Sequence, residues 1–338
     1  MARTRVVYGC AGTELSDKER AFYREAQPWG FILFARNVRD PQQVTALVSE
    51  MRETVGDAQA PVLIDQEGGR VARLKPPHWK AHPAMQRFGD LYRENPKAAR
   101  EAAYLNARSI AQELYDVGIS VDCVPSVDVP VPGADNVIGD RAFSSDPEVA
   151  GVLGRAVIDG MLDGGVLPVI KHMPGHGRGN ADSHFSLPRV TVSESELRQT
   201  DFVPFRALSD CPLGMTGHVV YEALDADNPA TTSSNVIRHV IRGEIGFGGL
   251  LFTDDLSMNA LAGSIAERTR AALAAGCDVI THCNGRMDEM EQVASEAKAL
   301  EGEPFARARA ALAQLRAPKP FDVVAADARL TELMGAIA

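Results

Sequence analysis

The sequence predicts an α/β fold, a single (β/α)8 barrel, on three observations. Eight short apolar runs are spaced along the chain. Stretches with helical patterning separate them, and this is the strand–helix alternation of a parallel sheet closed on itself. Charged and titratable residues gather just after the apolar runs. Those positions are the C-terminal ends of the strands, where such barrels keep their chemistry.

The predicted strands are RVVYG (5–9), GFILFA (30–35), PVLID (61–65), GISVDCVP (118–125), GVLPVIK (165–171), PLGMTG (212–217), GLLFTD (249–254) and DVITHC (278–283). Several are continuously apolar, as strands buried on both faces require. Between them, DPQQVTALVSEMRETV opens with an N-capping Asp and a proline suited to the first helical position. NPKAAREAAYLNARSIAQELYDVG opens the same way with Asn-Pro and ends on a stop glycine. DPEVAGVLGRAVIDGMLDGG, SESELRQTDFVPFRALSD, SSNVIRHVIRGEIG, NALAGSIAERTRAALAAG and RMDEMEQVASEAKAL are the further helical stretches. An open doubly wound sheet is the alternative, but no GxGxxG turn opens a helix. APKPFD (317–322) reads as a proline-marked link, so residues 1–338 form one barrel with a short helical extension after about 317.

With 338 residues, 45% apolar and 24% charged, the chain has ample material for a core. A net charge of -10 argues against docking on nucleic-acid phosphates or anionic lipid. No apolar run approaches the roughly 20 residues of a membrane span. The start lacks the apolar region of a secretory leader, so a cytoplasmic protein is expected. Five scattered cysteines with no CxxC pair read as buried reduced thiols.

Strand three runs into Asp65, Glu67, Arg70 and Arg73. Asp140 and Arg141 follow strand four, and Lys171 and His172 end strand five. His218, Asp254, Asp255 and His282 mark the last three strands. Each has a plain reading. Asp254 or Asp255 can be an N-cap, and the residues alone do not choose between them. Arg141 beside Asp140 can be a surface ion pair, and His218 and His282 can be structural. Jointly they form the polar ring a small hydroxylated substrate requires.

IKHMPGHGRGNADSHFSLP (170–188) is expected to be a glycine-broken loop rather than packed helix or strand, and such long loops are usually functional. On an extended backbone Asp182 and His184 fall on the same side, so the carboxylate can orient the imidazole as a general acid/base. His172 and His176 have the spacing of a helical metal pair, but Pro174 and Gly175 exclude that helix. Neither metal nor cofactor is expected.

IDQEGGRVARL, GDRAF, KHMPGHGRGNADSHFSLP and LLFTDDLSM together resemble glycoside hydrolase family 3, in the family's order over nearly the whole chain. GFILFARNVRDPQQV and AAGCDVITHCNGRMDEM fit as well. The likeness is to the family's single-domain bacterial branch, the cytoplasmic β-N-acetylhexosaminidases of peptidoglycan recycling. It implies a retaining exo-β-N-acetylglucosaminidase that removes terminal GlcNAc from GlcNAc-anhydro-MurNAc fragments. Asp254 matches the nucleophile, His184 the acid/base and Asp182 its partner. Asp65, Arg73, Arg141, Lys171 and His172 match the residues that hold the terminal sugar. The choice of Asp254 over Asp255 comes from the resemblance alone. The glycines are expected to let the loop tip move. The departures, Cys10-Ala11 and Met173, touch no matched catalytic position. The implied partner is a small sugar, and the enzyme is expected to be a monomer. Chitooligosaccharides, β-glucosides, phosphorolysis and a catalytically silent sugar-binding barrel are the competing readings.

Overall fold

The computed structural model describes residues 3–183 and 186–335. Its strands are β1 (Thr4–Tyr8), β2 (Pro28–Leu33), β3 (Val62–Ile64), β4 (Val121–Asp122), β5 (Leu167–Met173), β6 (Arg189–Val190), β7 (Leu213–Thr216), β8 (Val220–Tyr221), β9 (Leu250–Asp255) and β10 (Val279–His282). Eight of them close a parallel barrel in the order β1-β10-β9-β7-β5-β4-β3-β2. All eight predicted strands are found. β6 and β8 pair as a separate parallel ribbon that the sequence did not announce.

Side-chain alternation builds two apolar layers. Val7, Leu63, Val121, Val169, Leu213, Phe252 and Val279 belong to one buried cluster. Their neighbours Val6, Tyr8, Val62, Ile64, Ile170, Leu251 and Ile280 belong to the other, shared with the surrounding helices. The strands read as continuous apolar runs because period-two alternation turns both faces into buried ones. Register is set accordingly, with Phe31, Ile32 and Leu33 opposite Val62, Leu63 and Ile64.

The Pro-led helices form where expected. Asp40 caps Pro41–Val55 through the Gln43 N–H, and Asn95 caps Pro96–Asp116 through that of Ala98. Three helices had no place in the sequence reading: Asp17–Ala26, Met85–Glu94 and Gly302–Leu312. The first carries a legible signal, a capping box between Ser16 and Glu19. The stretch 193–210 splits into Glu194–Gln199 and Phe202–Ala207, because Thr200 leaves helical geometry beside the buried Asp201. Residues Val236–Glu244 wind as a π-helix.

Ala308 and Ala311 of the helix Gly302–Leu312 join the inner apolar cluster. That helix therefore closes the end of the barrel opposite the strand C-termini. There Asp278 takes Arg242 at 2.6 Å and Arg307 at 2.9 Å. Beyond the proline link, Val323–Gly335 lies on Pro96–Asp116, tied by Arg329 to Glu101 at 2.7 Å and by Arg108 stacked 4.5 Å over the Phe321 ring. Among the described residues no helix is long and apolar enough to cross a membrane.

Candidate active site

At the C-terminal end of the barrel one cavity of about 1040 Å³, measured to its open mouth, is lined by Asp65, Arg73, Arg141, Lys171, His172, Asp182 and Asp254. These are seven of the eight residues that the resemblance matched to catalytic or sugar-holding roles. The eighth, His184, lies outside the described residues. Ile32, Phe34, Met215 and Met258 supply apolar walls. The mix of apolar wall and convergent polar groups is typical of small-molecule sites.

A charge cluster forms one wall. The Lys171 ammonium lies 2.8 Å from Asp65 and 2.6 Å from Glu67. Arg141 grips Glu67 with two donors, Nε at 2.9 Å and Nη2 at 2.8 Å. Arg73 reaches the other oxygen of Asp65 at 3.0 Å and stacks 5.2 Å over Phe34. Burial alone would raise both carboxyl pKa values, but the adjacent cations overcome it. Asp65 falls well below the usual carboxylate range, held by Lys171 and Arg73, and Glu67 falls to about 2, held by Arg141 and Lys171. Burial opposes the charge on Lys171 too, yet Asp65 and Glu67 raise its pKa above the ordinary value. Arg141 pairs with Glu67, and Asp140 pairs with Arg70 at 2.8 Å, so the reading of Arg141–Asp140 as a surface pair is corrected.

β5 extends two residues past its expected end, to Met173, and carries Lys171 and His172 as strand residues. The expectation that 170–188 holds no strand is corrected at its start, where residues 170–173 belong to β5. Lys171 and His172 therefore sit on a rigid edge of the barrel rather than on a loop. The His172 ring is held by Asp128, whose carboxylate lies 2.7 Å from Nδ1.

Residues 174–179, which follow β5, are closely packed. A Cβ at Gly177 would stand 2.0 Å from the Val129 carbonyl oxygen, and Gly175 has φ of 137°. These glycines answer to close approach and backbone conformation, which are demands opposite to slack. The Tyr221 hydroxyl donates to the Gly175 carbonyl at 2.6 Å, and Arg178 pairs with Asp201 at 2.7 Å. His176 is buried in the lining, its Nε2 3.4 Å from Ser183 Oγ. Burial, then His172, lower its pKa, so the ring is neutral.

Asp254 and Asp255 end β9 in different surroundings. The Asp255 carboxylate accepts from the Ser257 N–H at 3.0 Å, the Ser257 hydroxyl at 2.6 Å and the Cys283 N–H at 3.1 Å. It braces β9 against β10. Asp254 accepts one hydrogen bond among the described residues, 2.8 Å from the Asp255 N–H. Burial works against its charge, but His218, His172 and that N–H leave its pKa below the ordinary value. His218 stands behind the site, with Nδ1 2.7 Å from Thr231 Oγ1 and Nε2 3.0 Å from the Asp255 carbonyl oxygen. His282 pairs with Glu289 away from the cavity. Both fit the structural reading made of them.

Glu67, placed in the polar ring by the sequence but given no role of its own, and Asp128, which the sequence did not point to, carry much of this geometry. Glu67 had a signal, since it lies two residues from Asp65 in IDQEGGR. Asp128 in VDVPVPG had none beyond following β4. Among the described residues no three His, Cys, Asp or Glu side chains are grouped to hold a metal ion.

Known proteins resemble this arrangement over nearly the full chain. Residues 9–316 match the glycosyl hydrolase family 3 N terminal domain. A β-hexosaminidase of Thiobacillus denitrificans is 41% identical over 280 residues, covering 81% of this chain and 76% of its own. One of Tolumonas auensis is 42% identical over 290 residues, covering 81% of each. Among solved structures, NagZ from Neisseria gonorrhoeae in complex with N-trifluoroacetyl-D-glucosamine superposes with a TM-score of 0.88 at 31% identity, over 99% of both chains. A family 3 β-N-acetylglucosaminidase from Paenibacillus superposes with a TM-score of 0.85 at 31% identity, over 98% of this chain and 66% of its own.

Proposed function

The chain belongs to glycosyl hydrolase family 3 and is a glycoside hydrolase of hexosaminidase type, and from that premise we propose that it is a retaining exo-β-N-acetylglucosaminidase of peptidoglycan recycling. Its substrate in this reading is the terminal GlcNAc of GlcNAc-anhydro-MurNAc fragments in the cytoplasm. The observation that carries the mechanism is the contrast between the two aspartates of β9. Both line the cavity, but among the described residues three donors engage the Asp255 carboxylate and one engages that of Asp254.

Retention requires a carboxylate that attacks the anomeric carbon and a second group that protonates the leaving oxygen. Asp254 suits the first task. It is ionised at neutral pH because its pKa lies below the ordinary carboxyl value, and the strand end holds it in place. His184 takes the second, as acid toward the leaving oxygen and then as base toward water, with Asp182 from the cavity lining as its partner. Asp65 and Glu67 accept from sugar hydroxyls. Arg73, Arg141 and Lys171 donate to hydroxyls or the N-acetyl oxygen, and His172 contacts the same ring. Fixing these charges on strand ends before substrate arrives spares the reaction their reorganisation.

The test compares initial rates on p-nitrophenyl β-N-acetylglucosaminide and the matching β-glucoside in phosphate-free buffer, with proton NMR of the first sugar released. Strong preference for the N-acetyl sugar and initial release of the β-anomer are expected. An initial α-anomer sinks the retaining mechanism, and equal rates on both sugars sink the hexosamine specificity. Turnover that appears only after phosphate is added moves the reading to phosphorolysis.

A further inference from the structure

Asp128 is fully buried behind the cavity and touches nothing within it. Four donors from two segments nevertheless converge on its carboxylate. Oδ1 accepts from the backbone N–H of His176 at 2.6 Å and of His172 at 3.2 Å. Oδ2 lies 3.0 Å from the Ser126 hydroxyl and 2.7 Å from His172 Nδ1. The far side of the His172 ring faces Arg141, whose Nη2 is 3.5 Å from Nε2.

We propose that Asp128 is a positioning residue that holds His172 in its Nδ1–H tautomer, so that Nε2 presents a lone pair rather than a proton to the cavity. Both ends of the imidazole carry the inference. A carboxylate facing Nδ1 accepts a proton from it. A guanidinium has donors and no acceptor, so a hydrogen bond from Arg141 to Nε2 exists only when Nε2 is the acceptor. Asp128 thus makes His172 a neutral acceptor for a hydroxyl of the ligand, beside the carboxylates Asp65 and Glu67 and the cationic donors Arg73, Arg141 and Lys171. What meets the lone pair rests on the reading of the cavity as a sugar site. The tautomer itself does not depend on that reading.

The need for a carboxylate rather than an amide follows from the donor count. In an Asp128→Asn variant one oxygen becomes an NH2 group. The two backbone N–H groups at Oδ1 cannot turn away, so the amide oxygen faces them and the NH2 faces Ser126 and Nδ1. Nδ1 must then accept, and the ring proton moves to Nε2, against Arg141 and into the cavity.

The experiment is 15N NMR of histidine-labelled protein at about pH 8, above the ordinary imidazole range near 6.5, with His172 assigned by its loss in His172→Gln. The wild type is expected to show a protonated Nδ1 and an unprotonated Nε2, and Asp128→Asn the reverse. Asp128→Asn is expected to raise KM for p-nitrophenyl β-N-acetylglucosaminide about 10–100-fold, the cost typical of removing a group that orients a functional histidine, with a smaller change in kcat. Ser126→Ala is expected to leave tautomer and KM within about twofold. A wild-type His172 protonated at Nε2 overturns the proposal, and this arm decides even if the variant does not fold. A folded Asp128→Asn with unchanged 15N pattern and KM overturns it too, whatever its kcat. A wild type that turns over no β-N-acetylglucosaminide defeats the proposed activity, and the 15N arm still decides the tautomer.

Discussion

Replacing Glu67 by glutamine isolates the charge that compensates Lys171 and Arg141. The carboxylate is buried, with 2% of its side chain exposed, and it faces an ammonium at 2.6 Å and a two-donor guanidinium grip. Folding lowers its pKa from 4.5 to about 2. At about 1.4 kcal/mol per pH unit of displacement, that is ~3 kcal/mol of stability. Removing one member of a buried ion pair typically costs 3–5 kcal/mol, so the two routes agree in size. Because the folded pKa is the lower one, the stabilisation is complete above pH 4.5 and fades as pH falls toward 2. By pH 3 the unfolded chain has already bound the proton, and about half of the stabilisation remains. Glutamine has no such titration. The variant should therefore trail the wild type by ~3 kcal/mol at pH 7 and by about half that at pH 3. At about 2.1 cal/mol/K of unfolding entropy per residue over 338 residues, the neutral deficit corresponds to roughly 4 °C in Tm. Urea unfolding reports it without screening the charges, followed by the fluorescence of the buried Trp29 and Trp79. A neutral deficit under about 1 kcal/mol, or one undiminished at pH 3, refutes the reasoning.

Three further outcomes are expected. Asp254→Ala should lower kcat on an aryl β-N-acetylglucosaminide by at least about a thousandfold with Tm retained, since among the described residues Asp254 accepts one hydrogen bond and the variant removes the proposed attacking carboxylate; near-normal turnover rejects it as nucleophile. His184→Ala should slow substrates with poor leaving groups far more than activated aryl glycosides, and an equal loss on both rejects general acid catalysis. Gly177→Ala should cost more than about 1 kcal/mol and depress kcat/KM, because its Cβ meets the Val129 oxygen at 2.0 Å and pushes the segment that follows His172 off the barrel; a variant as stable and active as the wild type shows that the contact is not needed.

The barrel was legible because its signal is repeated eight times and each copy is local. An apolar run, a capping residue and a proline-led helix need no knowledge of distant partners. Apart from Asp17–Ala26, whose capping box was legible, what escaped had weaker local signals or depended on distant contacts. Met85–Glu94 begins without a side-chain cap, and Gly302–Leu312 begins on Glu301, likewise uncapped. The break between Glu194–Gln199 and Phe202–Ala207 depends on Asp201 being buried against Arg178, 23 residues away. The ribbon of β6 and β8 is two residues wide on each side, too short for any periodicity to register.

The site divides along the same line. Which residues reach the mouth follows from where strands end, so Asp65, Lys171, His172 and the pair Asp254 and Asp255 could be named from the chain alone. How they pair is set by which strands become neighbours, and adjacency in sequence is a poor guide to it. Arg141 bypasses the neighbouring Asp140 for Glu67, 74 positions away, and Asp140 goes to Arg70. Glycine carries the same ambiguity. One residue type serves a chain that must move and a chain that must pack, and only the Val129 oxygen beside Gly177 separates the two. The choice between Asp254 and Asp255 is the sharpest case. Both are carboxylates at one strand end, and the residue type says nothing of their tasks. The difference arises when Ser257 turns back and β10 delivers the Cys283 N–H, so that one carboxylate is consumed in bracing the strands and its neighbour stays available to the cavity. Asp128 shows the converse. A carboxylate excluded from the cavity can still govern what the cavity offers, because the tautomer of His172 is decided on the buried side of the ring.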